Sequence, residues 1–238
     1  MLLTHGSLHR HACRRDTITW ADFRRHMDTA FIWYGRAWKS ASVQNHLQHK
    51  LNALTYMTDL CLKAMRFVSF GTPVAVITIE RTLEVLQKLR ADPPEAPSVT
   101  NSAISLHKQT LFRTLNENIP TLLFIEALST SSKSPEQVAK LKKSWSDFAT
   151  TVKDHFRQTK PHLRIKYSSV IWKRIERMFR FGDLCNPTIS RNVAAAISPS
   201  LFAILDATNP RNGPHLRAWD QVNALVREYS TQEANQTS

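Results

Sequence analysis

The sequence predicts an all-α protein built as a single helical bundle, and three observations carry that prediction. Five glycines in 238 residues is far below the average of about 7%, which leaves few positions for the positive-φ turns of hairpins. Apolar residues recur at three- and four-residue steps along most of the chain, the period of a helix with one buried face. Hydrophobic residues make up 42% of the chain, enough at this length for a substantial core.

The elements follow in order. The opening "MLLTHGSLHRHACRR" carries no acid before Asp16, and residues 1–16 are expected to form a mobile basic tail. Organelle transit peptides share that composition, but the long apolar centre of a secretory signal is missing. From Thr17 the spacing of Trp20, Phe23, Met27, Phe31 and Tyr34 predicts a core-facing helix. A second helix is expected after "KSAS", with the stripe Val43, Leu47, Leu51, Leu54, Met57, Leu60, Cys61 and Met65, broken by Gly71 and Pro73. "PVAVITIE" is rich in β-branched residues, yet the apolar spacing through Leu83, Leu86 and Leu89 predicts helix from about residue 76 to 90.

"ADPPEAPSVTNS" reads as a surface loop or linker. Ile104, Leu111, Phe112 and Leu115 mark a helix expected to end near Asn116 to Pro120, before the apolar "TLLFIEAL" and the loop "STSSK". Ser134, Pro135 and Gln137 form a capping box with proline at the first helical position. That helix has the stripe Val138, Leu141, Trp145, Phe148, Val152 and Phe156. The next buries Ile171, Ile175, Met178 and Phe179. In "NPTISRNVAAAISPSLF", Ser190 is the expected cap, Val193, Ala194, Ala196 and Ile197 form a small apolar face, and Pro199 is expected to stop the helix. A last helix carries Trp219, Val222, Leu225, Val226 and Tyr229, and residues 231–238 form a disordered tail. The helical domain thus covers residues 17–230.

Charge narrows the partners. Thirty-two Lys and Arg against 19 Asp and Glu give +13, which favours an acidic protein surface, nucleic acid or anionic lipid. Three scattered cysteines argue against a disulfide framework and for a reducing, cytoplasmic setting. Charged or polar residues interrupt each apolar stretch, so no transmembrane segment is expected. No phosphate-cradling GxxxxGK, dinucleotide GxGxxG or nucleophile-elbow GxSxG occurs. No cofactor is expected, and no chemistry of the chain's own is evident.

Weaker signals have ordinary readings beside them. His5, His9, His11 and Cys13 are metal-ligand types, but in a tail without a scaffold no metal site is expected. His46 and His49 stand three apart on a helix, where surface histidines need no ligand role. Cys185 precedes a helix start that could lower its pKa, and it lacks a histidine partner. The runs "KLKK", "HLRIKYSSVIWKR" and "RIERMFR" mix cations with Tyr167, Trp172 and Phe179. These can neutralise phosphate and stack on bases, or be a solvated basic face over an aromatic core.

"NPTISRNVAAAISPSLF" resembles a segment of the RhoGAP domain family, which commonly reads N-K-M-T-x-x-N-L-A-x-x-F-x-P-x-L. "LFRTLNENI" is similar to the family's L-R-E-L-P-E-P-L, with Asn116 and Asn118 in place of both prolines. "MRFVSFG" resembles its arginine-finger loop, and "QVNALVREY" its final helix. The resemblance covers about residues 43–230. It implies an all-helical bundle that docks on a Rho-type small GTPase and inserts an arginine toward the nucleotide, where a positioned guanidinium stabilises charge building on phosphate oxygens. Arg66 is then the finger, Arg113 a buried loop-supporting arginine and Asn192 an amide facing the GTPase. Lys108 stands near the family's lysine. Phe70 precedes Gly71 and no glycine precedes Arg66, so the resemblance also fits a module that binds a GTPase without activating it. The alternative is a helical nucleic-acid-binding protein such as a viral-type nucleoprotein, and a third reading is an interaction scaffold.

Overall fold

The computed structural model shows where each helix boundary falls. It describes residues 1–98, 102–129, 134–208 and Ala224. Every regular element among the described residues is helical: α1 (Leu2–Ala12), α2 (Trp20–Val43), α3 (Leu47–Ala64), a 3₁₀ helix (Met65–Phe70), α4 (Thr72–Ala91), α5 (Ala103–Leu128), α6 (Pro135–Gln158), α7 (Pro161–Cys185) and α8 (Pro187–Thr208). The expected last helix and the tail 231–238 lie outside the described residues, apart from Ala224.

The chain divides into two compact units, Met1–Leu122 and Leu123–Ser238, where the sequence reading expects one bundle. In the first unit α2 packs on α1 and α3, and α3 on α4. Thr19 caps α2 by accepting from the Asp22 N–H. The expected residues Trp20, Phe23, Met27, Phe31 and Tyr34 are all buried. Gly71, at φ +74, ends the 3₁₀ helix and opens α4, a left-handed conformation suited to glycine. Leu51 and Leu54 of α3 meet Leu111 and Leu115 of α5 in one cluster.

The expected mobile tail is instead helix α1, packed against α2 and α3. Its packing does not use an apolar stripe, which is why periodicity does not reveal it. A Cβ at Gly6 would lie 2.5 Å from Tyr34 Cε1, so glycine permits the close approach. His5 stacks on Trp33 at 4.8 Å, and Arg10 covers the Tyr56 ring at 3.8 Å. Cys13, in the turn after α1, is fully buried.

In the second unit α6 and α7 pack on α8. The Ser134–Gln137 capping box forms as expected. Leu141, Trp145, Phe148 and Val152 are buried beneath it. Asn186, rather than Ser190, caps α8 by accepting from the Ile189 N–H at 3.1 Å. Ser190 is buried where a Cβ on Gly182 of α7 would come within 2.4 Å of its Oγ.

Two prolines expected to end helices lie inside them, Pro120 in α5 and Pro199 in α8. Proline's fixed φ suits a helix, and the cost is one missing hydrogen bond and ring crowding. That cost is offset by burial of Leu122, Leu123, Phe124 and Ile125 beyond the first, and of Leu201, Ile204 and Leu205 beyond the second. Helix α8 is long and apolar enough to cross a membrane by length and composition alone, a test that a buried core helix also passes, and half of its apolar window is buried. Here its apolar residues pack against α6 and α7.

Candidate functional site

The 3₁₀ helix after α3 puts Arg66 beside the turn that follows α1. Its Nη2 donates to the carbonyls of Cys13 and Arg15 at 3.2 and 3.1 Å. The guanidinium also lies 4.7 Å from the Phe67 ring centre and 5.6 Å from that of Phe23. In this arrangement the side chain closes the Cys13–Arg15 turn onto the unit. Lys108, on α5, is half-buried. Arg113, implied to be buried, is 50% exposed and 3.9 Å from Glu117 one turn on. Asn192 is exposed on the second turn of α8, in the other unit from those three.

Helix α7 is strongly basic. Its sequence holds six Lys and Arg against Glu176 and Asp183. The helical period sorts its residues into two faces. Ile171, Trp172, Ile175, Met178 and Phe179 are buried. On the opposite face Leu163, Lys166, Val170, Lys173, Arg177 and Arg180 follow at alternating steps of three and four, and all six are exposed. From Lys166 to Arg180 that stripe runs about 21 Å along the axis. Arg180 pairs with Glu176 at 2.9 Å. Lys166, Lys173 and Arg177 have no ion-pair partner among the described residues. Arg164 lies off the stripe and donates to the Thr159 and Arg157 carbonyls at 3.0 and 3.3 Å, satisfying the end of α6.

Trp172 and Phe179 are each fully buried, and Trp172 Nε1 donates to Thr208 Oγ1 at 3.1 Å. These two aromatics belong to the core and offer no platform to a base. Tyr167 is half-buried and stacks on His155 with ring centres 4.3 Å apart.

The thiols are poorly nucleophilic. Burial pushes Cys13 and Cys185 up to about 11 and Cys61 up to about 12. His9 Nδ1 lies 3.0 Å from His26 Nδ1, and His46 stacks on His49 at 4.0 Å. No group of three His, Cys, Asp or Glu side chains among the described residues is placed to hold a metal ion.

The chain matches no family model, no curated protein and no solved structure.

Proposed function

We propose that the protein binds nucleic acid along the phosphate backbone, through the exposed face of α7 and without reading base sequence. The observation that carries this is the stripe Lys166, Lys173, Arg177 and Arg180, with three of its four cations unpaired among the described residues. Cations that neutralise phosphates release condensed counterions, which makes such binding favourable and salt-dependent. Phosphate contacts carry no sequence information. Burial of Trp172 and Phe179 removes two stacking surfaces that would add base contact. The protein is then a binding protein rather than an enzyme.

Anisotropy of a labelled single-stranded oligonucleotide, titrated at several salt concentrations, tests this. Each phosphate contact contributes about 0.7 to the slope of log K against log salt on a single strand. A variant with all four cations changed to glutamine should lose up to about 2.8 from that slope. An unchanged slope and affinity in the variant would remove α7 from the interface. Binding that prefers anionic vesicles over the oligonucleotide would transfer the face to lipid.

The GTPase-docking reading keeps one observation in its favour, the exposed Asn192 near the start of α8. Single-turnover GTP hydrolysis by Rho-type GTPases, with the protein and with Arg66→Ala, decides it. Stimulation lost in the variant would place that reading first.

A further inference from the structure

Three cations of the first unit converge on one carboxylate oxygen. Asp59 Oδ2, on α3, accepts from Arg10 Nε at 3.1 Å and from Lys63 Nζ at 2.8 Å, with Arg14 Nη2 at 4.0 Å. Arg10 Cζ lies 3.8 Å from the centre of the Tyr56 ring and Lys63 is one turn along α3 from Asp59. Arg14 follows α1, in the turn whose Cys13 and Arg15 carbonyls Arg66 holds. Arg66 thereby holds the backbone on either side of Arg14. One carboxylate leaves these three cations with an excess of two positive charges. Lys63 sits below the ordinary lysine range, by burial first, with Arg14 and Arg10 pushing the same way. Asp59 is 32% exposed and Arg14 46%, so the cluster is open to solvent on that side.

We propose that Arg10, Arg14 and Lys63 form a binding site for a phosphate group, at which the incoming anion shares or displaces Asp59. A phosphate dianion matches the uncompensated charge. Its three or four oxygens can engage the arginine forks and the lysine together, where a single Asp59 oxygen serves all three. The phosphate belongs to a free oligophosphate or to a nucleic-acid strand, and the chemistry is the same. This site is in a different unit from α7 and stands independently of the reading given for that helix.

The probe is inorganic pyrophosphate, titrated calorimetrically into the full chain at low salt. Wild type should bind it, and Arg14→Gln should weaken binding about tenfold, the loss of one charge-assisted contact. Asp59→Asn should tighten it several-fold, because the competing carboxylate is gone. An ion-pair network that serves only the fold predicts the reverse, since Asp59→Asn would then only loosen α1. The four-glutamine α7 variant should leave pyrophosphate binding intact, so failure of either proposal is seen separately. Arg14→Gln that weakens oligonucleotide and pyrophosphate alike assigns the site to a strand; weakening of pyrophosphate alone assigns it to a free oligophosphate. Absence of pyrophosphate binding to wild type overturns the site. So does a folded Asp59→Asn protein that binds no tighter, or an Arg14→Gln protein that binds as well. Circular dichroism establishes folding, and the exposed Arg14 keeps a test available if Asp59→Asn unfolds.

Discussion

Replacing Gly182 by alanine and Gly35 by alanine should move stability in opposite directions. Both glycines lie inside helices, and alanine gains up to about 1 kcal/mol over glycine in a helix interior. At Gly35 the new methyl meets only Lys88 Cε, at 3.9 Å, an ordinary contact, so the gain survives. At Gly182 it would meet Ser190 Oγ at 2.4 Å, and Ser190 Cβ and Phe124 Cζ at 3.0 Å. The Ser190 hydroxyl can rotate, but its Cβ is fixed to the α8 backbone and the Phe124 ring is fully buried, so α7 and α8 must part. Overpacking of this kind costs about 1–3 kcal/mol. The two variants should therefore differ by about 2 kcal/mol, which for a chain of this size is about 4–8 °C in Tm. Thermal melts by circular dichroism and urea titrations measure it. Ser190→Ala in the Gly182→Ala background should recover part of the loss, because it removes the Oγ contact and leaves the Cβ contact. A Gly182→Ala protein that melts higher than wild type, as Gly35→Ala should, would refute the close packing of α7 on α8.

Ser134→Ala should cost about 1 kcal/mol, because it removes the side-chain half of the α6 capping box, as read by urea titration. Asp92→Asn should cost about 1.5–3 kcal/mol, since Lys50, only 7% exposed, loses its charged partner at 2.7 Å. The hydrogen bond from Lys50 holds Asp92 below its ordinary value of 3.8. Its contribution is therefore complete above that value and is lost as pH falls through the lower folded-state pKa, which melts at stepped acid pH will show. Burial, then His9, lowers His26 from 6.5. The unfolded chain binds that proton first, so this contribution is present above pH 6.5 and fades as pH falls; a His26→Gln protein should flatten that part of the stability profile. Cys61, fully buried and raised to about 12, should resist a thiol reagent at pH 8 in the native state, with the half-buried Cys185 reacting first.

The parts of the fold legible in the sequence are those where one local signal decides. Ser134, Pro135 and Gln137 sit within four residues and fix the start of α6 without help. Phe23, Met27, Phe31 and Tyr34 repeat along one face, and burial follows the repeat. Pro120 and Pro199 mislead because proline's local cost is smaller than the burial available to the residues beyond it. Helix α1 is hidden for the opposite reason. Its attachments are a glycine against Tyr34, a histidine on Trp33 and an arginine on Tyr56, and none of these partners is near in sequence. The α7 stripe was half legible: its cations stand out, and the three- and four-residue steps from Leu163 to Arg180 separate them from Trp172 and Phe179 once the helix is drawn. The Asp59 cluster was not legible, since Arg10 and Asp59 are 49 positions apart.

The two units carry nearly equal charge and deploy it differently. Residues 1–122 hold 15 Lys and Arg against 9 Asp and Glu, and residues 123–238 hold 17 against 10. In the first unit Asp22, Asp28, Asp59, Glu84, Asp92 and Glu117 are each paired with a cation, and Asp28, Asp59 and Glu84 each serve more than one base. In the second, the stripe on α7 is spread over an exposed face with one ion pair. Exposed charges are screened by salt far more than partly buried ones. Oligonucleotide binding on α7 should therefore fall steeply with ionic strength, while pyrophosphate at the Arg10–Lys63 cluster, with 16% and 22% exposure of those side chains, should fall less steeply. A parallel decline of both would mean that the partial burial of Arg10 and Lys63 does not shield the cluster from salt.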